Sequence, residues 1–188
     1  QDKYLNIILF ETERLNKLTK SLLELNKFGS HGVMLDITSF DINHTIRMTV
    51  QTFEGTCMEK HISFNLILSG ETLFVSADFS KIQQVLYNLI DNALKFSHAN
   101  SAITIETTEK NEKVFVSVKD TGIGIPKDSI KKIWERFYRI DKSRSRENGG
   151  TGLGLSMVRW IVNLHNGTIH VESIEDIGTS FIFRFPKI

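Results

Sequence analysis

At 188 residues, of which 40% are hydrophobic, the chain is long enough to bury one sizeable core and has length left for a helical arm, not for a second full domain. Lys and Arg number 23 against 22 Asp and Glu, so no net field draws the protein onto nucleic acid or anionic lipid, and no membrane contact is expected. A single cysteine, Cys57, excludes an internal disulfide and suits a reducing compartment, and no apolar run approaches the ~20 residues that cross a bilayer. Without a secretory leader and opening directly into a helical pattern, the chain is expected to be a cytoplasmic piece cut from a longer protein.

From Tyr4 to Phe28 there is no Gly or Pro, and Ile8, Leu15 and Leu22 recur every seven residues beside Leu18 and Leu25. The pattern predicts an amphipathic helix of coiled-coil type, ended by Gly29-Ser30-His31-Gly32. It is either a partner-binding helix of a dimer or an arm lying on its own domain. The expected division is residues 1–30 for this helix and 31–188 for the globular domain.

Leu35 to Phe40 reads as a short strand, and Asp41 or Asn43 caps a helix running to about Lys60. Ile62–Leu66 and Thr72–Ser76, separated by a Ser69-Gly70 turn, read as two strands paired in a hairpin. Asp78 occupies an N-cap position ahead of Ile82, Val85, Leu86, Leu89, Ile90, Ala93 and Leu94 at helical spacing. Strand patterns follow at Ala102–Thr107 and Val114–Lys119, the second leading into Asp120. Lys127 to Asn148 is polar with a short helical piece around Ile133–Tyr138, and a segment of this kind is a functional lid or disordered. Leu153–Leu164 is a helix stopped by Asn166-Gly167, and Thr168–Glu172 with Ser180–Phe185 closes the chain as a hairpin. Hairpins mixed with helices predict an α+β two-layer sandwich, a mixed sheet covered on one face by helices.

Four short motifs carry the chemistry. Asn88, Asn92 and Lys95 fall at i, i+4 and i+7 and share a helix face. Carboxamide oxygens are hard, neutral ligands suited to Mg²⁺, and a lysine beyond them meets phosphate as a point charge. A lone Asn-x-x-x-Asn is more commonly a solvated face. Asp120, followed by Gly122, Gly124 and Pro126, reads either as a turn or as a carboxylate at a pocket floor that accepts a hydrogen bond from an exocyclic amine. Gly149-Gly150-Thr151-Gly152-Leu153-Gly154-Leu155 runs into an apolar helix, where free N–H groups without Cβ atoms in the way make a phosphate site. It is neither a Walker loop nor a dinucleotide fingerprint. Between the glycine motifs lie Arg136, Arg139, Arg144 and Arg146 with Phe137 and Tyr138 interleaved. Arg146 reads as solvated surface, and Arg139 and Arg144 as candidates to reach over phosphates. No single-strand stacking platform is recognisable, and none of the six histidines has the neighbours of a zinc site.

In order, these motifs resemble those of the catalytic, ATP-binding domain of bacterial sensor histidine kinases. That domain has the Bergerat fold shared with gyrase, heat-shock chaperone and mismatch-repair ATPases. Asn88 to Ser97 is similar to the N box, Asp120 to Pro126 to the first glycine box, Ile133 to Arg139 to the F box, and Gly150 to Leu155 to the second glycine box. The resemblance implies that Asn92, helped by Asn88, holds Mg²⁺ on ATP, that Lys95 approaches phosphate, and that Asp120 binds the adenine amine. Gly122 and Gly124 would shape the base pocket, and Gly150, Gly152 and Gly154 would border the phosphates. Phe137 would anchor a lid with Arg139 and Arg144 over the phosphates. Thr179 would join the adenine network, and Tyr138, Thr151, Leu153 and Leu155 would complete the ATP-binding set. Where many relatives have Tyr, this chain has Phe96, which keeps stacking and loses a hydroxyl.

Residues 1 to 28 resemble the second helix of the family's dimerisation and phosphotransfer hairpin. The first helix, with its phosphoacceptor His, is not found in this sequence. The implied function is the catalytic core of a two-component kinase that transfers the γ-phosphoryl group of Mg-ATP to a histidine. That group then passes to a response-regulator aspartate, in a parent that is a homodimer and the cytoplasmic portion of a membrane-bound sensor. The fragment alone is not expected to label itself. Asn88 stands where related ATPases carry a water-activating glutamate, so hydrolysis should be slow. Alternative readings are a serine-directed kinase on the same fold and a nucleotide-responsive interaction module without transfer activity.

Overall fold

The structure is a computed structural model that describes Thr12, Thr19, residues 34–140 and residues 151–187. Of the predicted N-terminal helix, only Thr12 and Thr19 are among the described residues, and both are helical and exposed. The globular part begins with strand β1 (Ile37–Asp41), whose last residue caps helix α1 (Ile42–Gln51). The Asp41 Oδ1 accepts from the Asn43 N–H at 3.0 Å and from the Leu73 N–H at 2.9 Å, so one carboxylate starts the helix and ties it to a residue 32 positions on.

The single helix expected from Asp41 to about Lys60 is two: α1 and a short α2 (Glu54–Lys60). The hydroxyls of Thr45, Thr49 and Thr52 donate back to the carbonyls of Asp41, Thr45 and Thr49, a competition that bends and ends helices. The chain then turns Phe53 into the core, 6% exposed and tilted against Tyr87 with ring centroids 4.9 Å apart.

A second correction concerns strands β2 (Ser63–Ile67) and β3 (Phe74–Asp78), which do not form the expected hairpin. β3 pairs antiparallel with β1, and β2 pairs parallel with β4 (Ala102–Lys110). The intervening turn is claimed from two sides. The Asn43 side chain donates to the Ser69 carbonyl at 3.1 Å, and the Thr107 hydroxyl both accepts from the Ser69 N–H and donates to Asn43 Oδ1 at 2.9 Å. Fastened to α1 and β4, the turn lets its flanking strands enter different sheets.

Asp78 caps α3 (Phe79–Phe96) as predicted, accepting from the Lys81 N–H at 3.1 Å and the Ser80 hydroxyl at 2.8 Å. β4 and β5 (Lys113–Asp120) then form an antiparallel pair. The segment around Ile133–Tyr138 is a series of turns and not a helix, with Lys132 N–H bonded to Ser129 O and Glu135 N–H to Lys132 O at 2.8 Å each. Helix α4 (Gly154–Leu164) and the predicted hairpin of β6 (Thr168–Ile174) and β7 (Gly178–Pro186) complete the chain.

The main sheet is mixed, in the order β2-β4-β5-β7-β6, and a two-stranded sheet of β1 and β3 flanks it. Alternation decides which face is dry. Ile103 and Ile105 of β4, Val114, Val116 and Val118 of β5, and Phe181, Phe183 and Phe185 of β7 point to one side. There they meet Ile82, Val85, Leu86, Leu89 and Ile90 of α3 with Val158 and Ile161 of α4. This is the α+β arrangement expected, with helices on one face of a mixed sheet. No helix among the described residues is long and apolar enough to cross a membrane.

Phe183 is 0% exposed at the centre of this core. Phe183→Ala is expected to cost ~3–5 kcal/mol through lost burial and the cavity left behind. Urea unfolding checks this, as a lower midpoint at unchanged slope.

Candidate functional site

The polar face of α3 is fixed by its apolar one. With Ile82, Val85, Leu86, Leu89 and Ile90 at 0% exposure, the helix cannot rotate, and Asn88, Asn92 and Lys95 come to lie half-buried at its margin. Lys95 is ion-paired with Asp91 one turn earlier, the favourable acid-then-base order at i, i+4. Asn88 Oδ1 lies 3.7 Å from where a Cβ would stand on Gly154, the first residue of α4. The first and the last of the four motifs therefore touch. Asn88 also borders an open groove lined by Thr49, Thr52, Ser80, Gln83, Gln84 and Tyr87.

At its other end, α3 meets the first glycine motif through main chain. The Phe96 carbonyl accepts from the Ile123 N–H at 3.1 Å, and a Cβ on Gly122 would stand 2.1 Å from that same oxygen. Only glycine lets the two backbones approach so closely. The Phe96 ring is half exposed. Next to it, Ser97 Oγ is the buried side-chain atom among the described residues that has no hydrogen-bond partner.

Asp120, the last residue of β5, is 5% exposed. Its Oδ1 accepts from the Gly122 N–H at 2.9 Å and from the Thr179 N–H at 3.2 Å, Thr179 being its partner across β7. Burial pushes its carboxyl up from the ordinary carboxylate value, and the two backbone hydrogen bonds and the nearby charge of His98 only partly oppose this. The Thr179 hydroxyl shares a 2.9 Å hydrogen bond with Ser173 Oγ, which accepts from the Ile125 N–H at 2.8 Å and donates to the Gly178 carbonyl at 3.0 Å. Ser173 thus holds Gly124-Ile125 and Thr179 together. Sequence reasoning missed it, because nothing local marks a serine in β6 as facing a loop 48 residues away.

Gly152 takes φ +72°, and a Cβ there would stand 2.8 Å from the Phe137 carbonyl carbon. The Phe137 N–H donates to the Gly152 carbonyl at 2.9 Å, so the F-box-like and second glycine-rich segments are stitched backbone to backbone. Phe137 itself is 55% exposed, Tyr138 donates its hydroxyl to Ser129 Oγ at 3.0 Å, and Arg139 is half-buried. Leu153 is buried and Leu155 packs partly buried against the core, while the Thr151 hydroxyl accepts from the Leu153 N–H at 3.3 Å. Arg144, Arg146 and Gly150 lie outside the described residues. No side chain caps the N-terminus of α4, whose first residue, Gly154, lies beside Asn88.

Residues 77–188 match the family described as histidine kinase-, DNA gyrase B- and HSP90-like ATPases. The chain belongs to this family. It is 41% identical to the sensor histidine kinase WalK of Bacillus subtilis (strain 168), over 98% of the chain and 30% of that protein. The catalytic domain of the histidine kinase ThkA superposes with a TM-score of 0.73 at 36% identity, over 81% of this chain and 97% of that one. A structure of ThkA in complex with the response regulator TrrA matches with a TM-score of 0.79 at 35% identity, over 99% and 51%. Full-length ShkA in complex with AMPPNP matches with a TM-score of 0.86 at 25% identity, over 100% and 39%. The fold expected from the motifs is thereby established: it is that of histidine kinase catalytic domains. The chain spans about a third of the length of the curated relatives it matches.

Because folding raises the proton affinity of Asp120, its stabilising contribution is complete at acid pH, below the unfolded carboxylate range, and is lost as pH rises through its raised value. Asp120→Asn keeps the Oδ1 acceptor and removes the charge. Thermal melts from pH 4 to pH 8 are expected to show the variant gaining stability relative to the native chain as pH rises, and a variant that loses stability relative to the native chain over that range would contradict the assignment.

Proposed function

We propose that this chain is the Mg-ATP-binding catalytic core of a two-component sensor histidine kinase. Residues 31–188 form its nucleotide domain and residues 1–30 belong to the dimerisation and phosphotransfer element. The observation that carries the reading is the pairing of two unlike contacts along one helix. Asn88 meets Gly154 at one point of α3, and Phe96 meets Gly122 beside the buried Asp120 at its end. At 1.5 Å per residue those points are ~12 Å apart, a span suited to a nucleotide with its base at Asp120 and its phosphates at the α4 N-terminus.

At the base end, Asp120 Oδ1 is held by the Gly122 and Thr179 N–H groups, which leaves Oδ2 to accept from the exocyclic amine of adenine. Thr179, Gly122 and Gly124 shape that pocket. A bound base or a water beside it would also answer the partnerless Ser97 hydroxyl. At the phosphate end, Gly152 and Gly154 keep side chains away from the first-turn N–H groups of α4, which accommodate anionic oxygens. Thr151, Leu153 and Leu155 set this segment against the core, and Phe137, Tyr138, Arg139 and Arg144 belong to the lid. Lys95 would reach phosphate only by leaving Asp91.

The donor set fits magnesium. Mg²⁺ keeps several waters and takes one or two protein oxygens together with phosphate oxygens, and the carboxamides of Asn92 and Asn88 supply hard oxygen at the helix margin. Among the described residues no cluster of three His, Cys, Asp or Glu offers a competing site. The ion supplies charge neutralisation on the phosphates. The chain's own groups bind and orient the nucleotide and close over it. None at Asn88 can take a proton from water, so hydrolysis is slow and the γ-phosphoryl group is kept for a histidine acceptor on the parent's other helix. From there it passes to a response-regulator aspartate, in a homodimeric, cytoplasmic kinase portion.

Asn92→Ala is expected to weaken Mg-ATP binding by about tenfold or more while leaving magnesium-free adenosine binding unchanged, measured by calorimetry with and without chelator. Incubated with γ-labelled ATP, the chain should bind nucleotide without labelling itself and should label a separately supplied phosphoacceptor hairpin of its parent. Acid-labile phosphohistidine on the isolated chain, or an unlabelled hairpin, would refute the reading.

A further inference from the structure

His165 ends α4 and is 8% exposed, and no step described above uses it. Its Nδ1 lies 2.8 Å from the Ile161 carbonyl oxygen, which can only accept, so Nδ1 carries the proton. Nε2 is then the lone-pair nitrogen, and it accepts from the backbone N–H of Asp78 at 3.0 Å. That N–H belongs to the cap of α3, whose carboxylate is already engaged by Asp36, Ser80 and Lys81. The imidazole therefore bridges the last turn of one helix to the first turn of the other, across 87 residues of sequence.

α3 and α4 pack on each other and run antiparallel, because the start of α4 lies at Asn88 and its end at Asp78. The two contacts bracket matching lengths. Asp78 to Asn88 is ten residues and Gly154 to His165 is eleven. At 1.5 Å per residue these are ~15 Å and ~16.5 Å of helix. Pinning one end of the pair sets the other. Ridges-into-grooves packing of the buried faces of α3 and α4 allows a small set of registers, and the directional bond from Asp78 to His165 favours the observed one over one slid along the ridges.

We propose that His165 is a positioning residue that sets the register of α4 along α3, and so holds the glycine-rich helix start against the asparagine face that receives the phosphates. The inference rests on the nucleotide reading for its functional consequence and stands apart from it for its structural one. His165→Asn can keep the bond to Ile161 and loses the one to Asp78. His165→Gln places an amide oxygen where Nε2 was and so keeps the bond to Asp78 while losing the one to Ile161, and His165→Phe fills the space with no bond.

NMR on the native chain should give a nuclear Overhauser contact between the Asn88 carboxamide and the Gly154 α-protons. That contact should vanish in H165N and H165F and return in H165Q. Affinity for Mg-AMPPNP should fall about tenfold in H165N and H165F, recover in H165Q, and leave adenosine binding unchanged throughout. Persistence of the Asn88–Gly154 contact in folded H165N and H165F, or its loss in folded H165Q, would overturn the proposal. A native chain that shows the contact and binds no Mg-AMPPNP would sink the nucleotide reading and leave the register assignment standing on the variants' spectra.

Discussion

Burial of one face of α3 against the mixed sheet is the interaction on which the rest of the structure depends. Ile82, Val85, Leu86, Leu89 and Ile90 are all 0% exposed, and each contributes roughly 1.5–3 kcal/mol by leaving water. A turn of the helix by one residue would move its side chains ~100° around the axis and bring several of these into solvent. The orientation of Asn88, Asn92 and Lys95 is thus a consequence of apolar packing. The polar residues contribute little to holding themselves in place.

Around that helix the site is assembled mostly from main chain. The Phe96 carbonyl, the Gly122 and Thr179 N–H groups, the Gly152 carbonyl and the Phe137 N–H make the contacts that bring the motifs together. Where backbone meets backbone, a side chain is an obstacle, and Gly122 and Gly152 stand at two of these approaches. The buried Asp120 is the exception that gives the site polarity. Its carboxylate is held by two N–H groups while burial still pushes its proton affinity up, which leaves an acceptor fixed in direction and sparsely solvated.

Local signals were readable wherever the physics is local. Asp41 and Asp78 cap the helices their sequences announce, α3 follows its 3.6-residue period, and β5 leads into Asp120 at the expected point. The Asp91–Lys95 pair was also legible as i, i+4 charges on a helix, and reading Lys95 only as a phosphate ligand passed over it. The break between α1 and α2 was harder to see. Its cause is three threonine hydroxyls turned back on the helix together with the pull of Phe53 toward Tyr87, and the second of these is a contact with another helix. The false hairpin has a similar origin. Two strands around a Ser69-Gly70 turn ordinarily pair, but Asn43 and Thr107, distant in sequence, hold the turn and separate them.

By itself, the amino-acid sequence determined most of the helices and strands, the caps at Asp41 and Asp78, the apolar face of α3, and the identity and order of the four motifs, because each depends on periodicity or on neighbours within a turn. Tertiary structure alone decided which strands pair, that Ser173 joins the loop after Asp120 to β7, and that Gly154 comes to rest against Asn88 while His165 reaches Asp78. Those outcomes are set by hydrogen bonds and close approaches between residues far apart in the chain, whose partners exist only once the core has brought them together.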